Sequence, residues 1–229
     1  MATSTVENYV KHIFHLDQQR QAQSLASGVA DTGLVAMGEL AAALRVVPGT
    51  ATSMIKTLAD AGLVDYEPRN GVRLTEPGRR LALHVLRRHR LVELFLVQTL
   101  GMDWAEIHEE AEQLEHVISE RVLERIDALL GHPTVDPHGD LIPDAAGRLA
   151  DRPLISLSEL PLDTERTVAR IADQADAFLQ FIDGQELRPG RGVRVIGRDT
   201  QAGVLRARLD NGREVSLGFA AAAKIEVEA

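Results

Sequence analysis

The chain has 229 residues, 45% of them apolar, which is enough for one large domain or two to three small ones with real cores. It contains no cysteine, which excludes a disulfide framework and any thiolate metal site, so a metal would be held by nitrogen and oxygen alone. The formal net charge of −9 by itself argues against nucleic acid as a partner; with no apolar run near the roughly 18 residues of a membrane span and no signal-peptide pattern at the start, a cytoplasmic location without a membrane partner is expected.

Ser4-x-x-Glu7 has the form of a capping box, and Val6, Tyr9, Val10, Ile13, Phe14 and Leu16 follow at helical spacing, which predicts a first helix. Gln18 to Thr32 is polar with small residues and reads as a mobile connection. Met37 to Leu44 reads as a short helix. Pro48 permits the start of another but not the continuation of the first, and Gly49 to Leu58 follows as that next helix. Met54, Ile55 and Leu58 form its apolar edge, while Thr50, Thr52, Ser53 and Lys56 show short donors and one cation on the other face. Gly62 supplies a left-handed cap, and two short strands, Leu63 to Tyr66 and Val72 to Thr75, flank the turn Pro68-Arg69-Asn70-Gly71.

Three helices and a hairpin in this order make a winged helix-turn-helix over residues 1–75. Its second turn helix, opened by Pro48, would enter the major groove of double-stranded operator DNA, with Thr50, Thr52, Ser53 and Lys56 facing the duplex and Arg69 on the hairpin lying along phosphate. The acidic whole-chain charge is no obstacle, because Asp103 to Asp127 holds much of the acid and DNA binding needs only a local basic surface. The competing interpretation is a winged helix used for protein contacts.

Thr75-Glu-Pro-Gly opens a long helix whose apolar residues, Leu81 through Leu96, spread around much of its surface, as in a helix buried by several neighbours. Arg79, Arg80, Arg87, Arg88 and Arg90 give it a basic side, either for phosphate near the wing or simply solvated. Gly101 stops this helix and Asp103-x-x-Glu106 caps the next, which continues through Val117 to Leu130 with a break near Ser119 left open.

These two helices carry the most informative pattern in the chain. His89 and Glu93 are an i, i+4 pair on one helix face. At roughly 100° per residue His108, Glu112 and Glu115 fall in one narrow stripe with His116 at its margin. An inward stripe of imidazoles and carboxylates is costly unless paired or metal-bound. The bland alternative is a solvated acidic face with satisfied histidines.

The segment from His132 to Pro143 is too rich in proline and glycine for regular structure, and residues 144–154 read as a linker. Beyond it, Thr167 to Ala172, Gly192 to Ile196, Val204 to Leu209, Arg213 to Leu217 and Lys224 to Val227 are strand candidates. A short helix, Asp176 to Ile182, lies among them, and Asp210-Asn211-Gly212 forms a tight turn. The expected fold is mainly α: a winged helix-turn-helix (1–75), a helical domain carrying these ligand-type residues (76–143), which the family resemblance given below makes the dimerisation and metal-binding domain, the linker, and a small SH3-like β-barrel (155–229).

Taken together, Thr5 to Val10, Arg88 to Glu93, Ile107 to Ser119 and His132 to Pro143 resemble the diphtheria toxin repressor family of metal-dependent transcriptional regulators, particularly its manganese-responsive branch. The C-terminal barrel, entered by Leu157-Ser-Glu-Leu-Pro161, resembles the FeoA-like domain of many members. The resemblance implies a homodimeric DNA-binding regulator, a repressor of metal-uptake genes, with Mn²⁺ as corepressor and Fe²⁺ as the alternative. It carries the family's primary site onto Asn8, Glu112, Glu115 and His116, and its second site onto His89, Glu93 and His108, with Asp173 lent by the barrel and Gln174 or Asp176 as substitutes. Iron-responsive members present methionine at the position of Asn8 and cysteine at that of Glu112; manganese-responsive members usually put a carboxylate at both. Here Glu112 follows the manganese pattern, and Asn8 keeps the oxygen but loses the charge.

Two other functions compete. A metallohydrolase would use the same ligands, but His108-Glu109 begins the H-E-x-x-H motif only for Glu112 to break it, and no phosphate loop or nucleophile constellation is present. No enzyme activity and no small-molecule substrate are therefore expected. A winged-helix regulator indifferent to metal would show no stoichiometric metal binding.

Overall fold

The computed structural model of the chain describes residues 3–28 and 33–229. It divides into two compact units, Met1–Arg88 with Pro143–Arg148, and His89–Ile142 with Leu149–Ala229. The division falls inside a long helix, which contributes its first half to one unit and its second half to the other.

In the first unit, helix α1 spans Ser4–Ser27. Its cap is Thr3, one residue earlier than the capping box suggested, with the Thr3 hydroxyl accepting from the amide of Val6. The helix also runs ten residues into the expected connection, to Ser27. Gln, Arg, Ala and Leu, which make up most of positions 18–26, are good helix formers, so a polar composition here is compatible with helix and does not mark a loop. Gly28, at φ 68°, closes it by donating to the Ser24 carbonyl. Residues 29–32 of the expected connection lie outside the described residues.

Helices α2 (Met37–Ala43) and α3 (Pro48–Asp60) follow, then strands β1 (Val64–Glu67) and β2 (Gly71–Leu74), paired antiparallel with Val64 opposite Leu74. In α3, Val47 is the extended cap, Pro48 takes the first helical turn, and Ala51, Ile55 and Leu58 are buried at i, i+4 and i+7. They join Tyr9, Ile13, Val35, Leu40, Val64 and Val72 in one core. Val35 bonds Val72 in both directions, and a side chain at Gly71 would put its Cβ 2.5 Å from the Val35 carbonyl oxygen, so this crossing requires glycine. The winged-helix order expected from sequence is present.

The long helix α4 is Glu76–Leu100. In the second unit its latter half packs with α5 (Ile107–Leu114) and α6 (Glu120–Leu129) through Leu91, Leu94, Leu123 and Ile126 and through Val92, Leu96, Ile107 and Ala111. The open question near Ser119 resolves as a break. The helix stops at Leu114, and Ser119 caps α6 by accepting from Val122. Asp103 accepts from the Ala105 amide in the turn before α5 and does not cap the helix itself.

A six-stranded antiparallel sheet completes the unit in the order β3 (Leu154–Ser156), β8 (Ile225–Glu228), β4 (Glu165–Ile171), β5 (Gly192–Asp199), β6 (Val204–Leu209) and β7 (Glu214–Gly218), with α7 (Asp176–Gly184) and α8 (Phe219–Ala222) inserted. Sequence missed β3, which is only three residues long and begins inside the expected linker. The other end of that linker is also ordered: the Asp144 side chain accepts from the amides of Ala146 and Arg148, and Arg87 donates to the Pro143 carbonyl. The barrel core takes in two residues from outside the barrel, Trp104 and Ala105. Among the described residues no helix is long and apolar enough to cross a membrane.

Candidate metal centre and nucleic-acid face

Helix α4 offers His89 and Glu93, both buried, on one face. Helix α5 offers His108 and Glu112. Glu115 is the residue after α5, yet it keeps helical dihedrals (φ −57°, ψ −29°), so it stays in phase with Glu112 although the helix has formally ended.

The two helices bring these groups into one cluster. His89 Nε2 lies 3.0 Å from Glu93 Oε1, and His108 Nδ1 lies 3.4 Å from the same oxygen. On its other side His89 Nδ1 is 2.6 Å from Glu115 Oε2 and 3.9 Å from Glu112 Oε1. His116 Nε2 is 3.3 Å from Glu115 Oε1. His89 therefore stands between the two ligand sets assigned to it and its neighbours, one ring nitrogen toward each. Two groupings, His89–Glu93–His108 and His89–Glu112–Glu115, each have donor atoms within 4.8 Å of one another. Asn8 lies on α1, in the first unit, beside Glu7, whose Oε1 is 3.1 Å from Arg88.

A third grouping of the same compactness was not assigned from sequence: Glu93, Asp136 and His138, all buried. The last two come from the Pro/Gly-rich segment 132–143. That segment lacks helix and strand but is ordered by Asp136, whose Oδ1 accepts from the amides of His138 and Asp140. The available signal was the Asp136-Pro137-His138-Gly139 run, where proline fixes φ at the corner of a tight turn, closed by the Gly139 amide on the Asp136 carbonyl, that holds two ligand-type side chains close together. Helical periodicity could not find it.

The chemistry of this third group is that of a cation site. Asp136 Oδ2 and His138 Nδ1 are buried with no hydrogen-bond partner. His138 Nε2 donates to the Trp104 carbonyl at 2.9 Å, which leaves the lone pair on Nδ1, 3.9 Å from Glu93 Oε2. Burial, with Asp140 and Glu93 as like-charged neighbours, drives the Asp136 carboxyl well above the usual carboxylate range against the pull of Arg90. Glu93 goes the other way. Burial alone would raise it, but the imidazoles of His89, His108 and His138 hold it far below that range. A buried imidazole lone pair and two buried carboxylates, with donor atoms within 4.8 Å of one another, fit a divalent ion with nitrogen and oxygen ligands.

Asp173 is not brought to any of these groups. Its Oδ2 is 2.6 Å from Lys224 Nζ and its Oδ1 accepts from the Ala175 amide, so the carboxylate has partners within its own domain. The barrel approaches the segment 132–143 through other residues: Gln174 donates to Asp140 at 2.6 Å, and Arg170 reaches Asp140 at 3.3 Å.

On α3, Pro48, Thr50, Ser53 and Lys56 are exposed, as is Arg69 at the hairpin tip with φ 73°. Thr52 differs from expectation. It is half-buried and its hydroxyl donates to the Pro48 carbonyl at 2.9 Å, so its polarity serves the helix. The arginines of α4 also differ. Arg79 stacks on Phe14, Arg87 donates to Pro143, Arg88 pairs with Glu7, and Arg90 donates to Leu141 and faces Asp136 and Asp140. Four of the five thus have partners within the protein; Arg90 is buried and the other three are half-buried.

Comparison with known proteins agrees with this architecture along almost the whole chain. Residues 1–72 match the N-terminal DNA-binding domain of iron-dependent repressors, residues 75–144 match their metal-binding and dimerisation domain, and residues 155–229 match the FeoA domain. The chain belongs to the iron-dependent (diphtheria toxin) repressor family. It is 31% identical over 188 residues to the diphtheria toxin repressor of Corynebacterium efficiens, covering 80% of this chain and 68% of that protein. It is 34% identical to the iron-dependent repressor IdeR of Mycobacterium leprae, covering 69% of this chain and 66% of the relative; against IdeR of Mycobacterium tuberculosis the match spans 52% of the relative's length. Among solved structures, a manganese-dependent transcriptional repressor in complex with manganese superposes with a TM-score of 0.82 at 38% identity, covering 98% of this chain and 99% of that one. ScaR with bound Cd²⁺ gives 0.76 at 31% identity, covering 97% and 98%.

Proposed function

We propose that this family member is a homodimeric, manganese-dependent repressor that binds operator DNA when metal is bound. The observation that carries this is the cysteine-free cluster around His89, built from imidazoles and carboxylates within the part of the chain matching a metal-binding and dimerisation domain. Oxygen and nitrogen donors suit Mn²⁺ or high-spin Fe²⁺ better than a sulfur-containing set would, and Glu112 contributes a carboxylate where softer sites use sulfur. The similarity to a repressor solved with manganese points the same way.

One ion would be held by Asn8, Glu112, Glu115 and His116. A second would sit around Glu93, with His89 and His108 on one side of the carboxylate and Asp136 and His138 on the other. Asp173 would join it only by releasing Lys224. Because Asn8 belongs to the helix-turn-helix unit and the other primary ligands to the dimerisation helices, the ion would set the position of the recognition helix α3. A preference of about 1.4–2.8 kcal/mol for the DNA-competent arrangement changes DNA affinity 10- to 100-fold.

The test is binding of the purified, metal-free protein to a duplex selected from a random pool, at fixed salt, with Mn²⁺, Fe²⁺ or Zn²⁺ added separately. Binding that appears with Mn²⁺ and vanishes with chelator is expected. Equal affinity with metal and with chelator would refute the mechanism; salt is held constant because phosphate contacts make affinity steeply salt-dependent.

A further inference from the structure

The barrel and the pocket around Glu93, Asp136 and His138 meet at Trp104, the single tryptophan of the chain. Its ring belongs to the apolar core of the barrel, together with Leu187, Val195 and Leu205, and the Arg188 guanidinium stands 5.1 Å above it. Its backbone carbonyl accepts the Nε2 hydrogen of His138 at 2.9 Å, and the two rings are 5.4 Å apart.

The barrel holds the same histidine from the opposite direction. The Ile171 amide on β4 donates to the His138 carbonyl at 2.9 Å. Gly139 lies so close to that strand that a Cβ there would stand 1.9 Å from the Ala169 carbonyl oxygen. Both the ring and the main chain of His138 are thus fixed by groups anchored in the barrel.

We propose that Trp104 is a positioning residue for the second metal site: its indole, seated in the barrel core, holds the carbonyl that fixes the His138 tautomer, so that filling this site and docking the barrel are one coupled equilibrium. The inference rests on the assignment of Glu93, Asp136 and His138 to a metal ion. The coupling follows from linkage. If a docked barrel raises metal affinity by some factor, bound metal strengthens docking by the same factor. Partners that orient a ligating histidine are typically worth about 10- to 100-fold in metal affinity.

The experiment is calorimetric titration of the full-length protein with Mn²⁺, with bound manganese counted by elemental analysis, for wild type, Trp104→Ala, Trp104→Phe and Arg170→Ala. Wild type is expected to take two ions per protomer. Trp104→Ala should keep one at unchanged affinity and weaken the other about 10- to 100-fold. Trp104→Phe, which still fills the barrel core, should restore most of that loss. Arg170→Ala leaves the helical segment intact and removes the barrel's ion pair with Asp140 together with the Arg170 pair to Glu226 on β8, so it should weaken the same ion several-fold. Limited proteolysis between residues 149 and 153 should be slowed by Mn²⁺ in wild type and not in Trp104→Ala.

Two full-affinity ions in a folded Trp104→Ala overturn the coupling while leaving the metal site standing. A single ion in wild type, unaffected by Trp104→Ala, removes the metal site and the coupling with it. If Trp104→Ala loses both ions through misfolding, Arg170→Ala decides: wild-type affinity for both ions there overturns the proposal.

Discussion

The Nδ1 atom of His89 lies 2.6 Å from Oε2 of Glu115, joining the middle of α4 to the residue that ends α5, with both side chains buried. The opposite nitrogen of the same ring faces Glu93 at 3.0 Å. One imidazole thus contacts a carboxylate from each proposed ion site. Replacing it removes the common neighbour of both and strands two buried carboxylates.

His89→Ala is accordingly expected to weaken both manganese ions by at least 10-fold and to destabilise the metal-free protein by about 3 kcal/mol, the usual cost of breaking a buried charge pair. Calorimetry and urea unfolding measure the two effects separately. Loss of one ion with the other untouched would show that His89 serves a single site.

Asp136→Asn should act in opposite directions on stability and on metal. The wild-type carboxyl is pushed well above its ordinary range by burial and by Asp140 and Glu93. A group with a raised folded-state pKa favours folding while protonated, and that contribution is lost as pH rises through the folded value. At every pH above the unfolded carboxylate value Asp136 is therefore a burden that asparagine removes, while its oxygen still accepts from the amides of His138 and Asp140. The metal-free melting temperature should rise, and the second manganese should disappear. A melting temperature that falls would contradict the electrostatic account.

Glu112→Cys should move selectivity toward Zn²⁺ and Fe²⁺ at the expense of Mn²⁺, because a soft thiolate would replace a hard carboxylate in an otherwise unchanged set. Competition titrations with the three ions read this directly. An unaltered ranking would place Glu112 outside the ligand set.

Three substitutions on α3 should differ in kind. Ser53→Ala should change preference among operator variants by about 1–3 kcal/mol at one position, and Lys56→Ala should weaken all sequences alike and reduce the salt slope by about one. Thr52→Val should do neither to a measurable extent, since its hydroxyl is bound to the Pro48 carbonyl. A Thr52→Val protein that loses operator preference would mean that this hydroxyl turns outward on DNA.

Much of this protein is written locally and was legible in its sequence. Pro48 at the start of α3, Gly62 after it, and the turn around Arg69 each act within a few residues, so the winged helix follows from neighbours alone. The same holds for His89 and Glu93, one helical turn apart, and for the stripe from His108 to Glu115; the absence of cysteine settled the chemical type of any ligand set. What only the tertiary structure decided is where long or charged side chains end up when the element opposite is distant in sequence. The arginines of α4 have internal partners as remote as Glu7 and Leu141, Asp173 is taken by Lys224, and Asp136 with His138 reaches Glu93 from a segment with no periodicity to read. The physical reason is that burying a charge is costly without a partner, and the partner is chosen by packing across the chain, which no local pattern encodes.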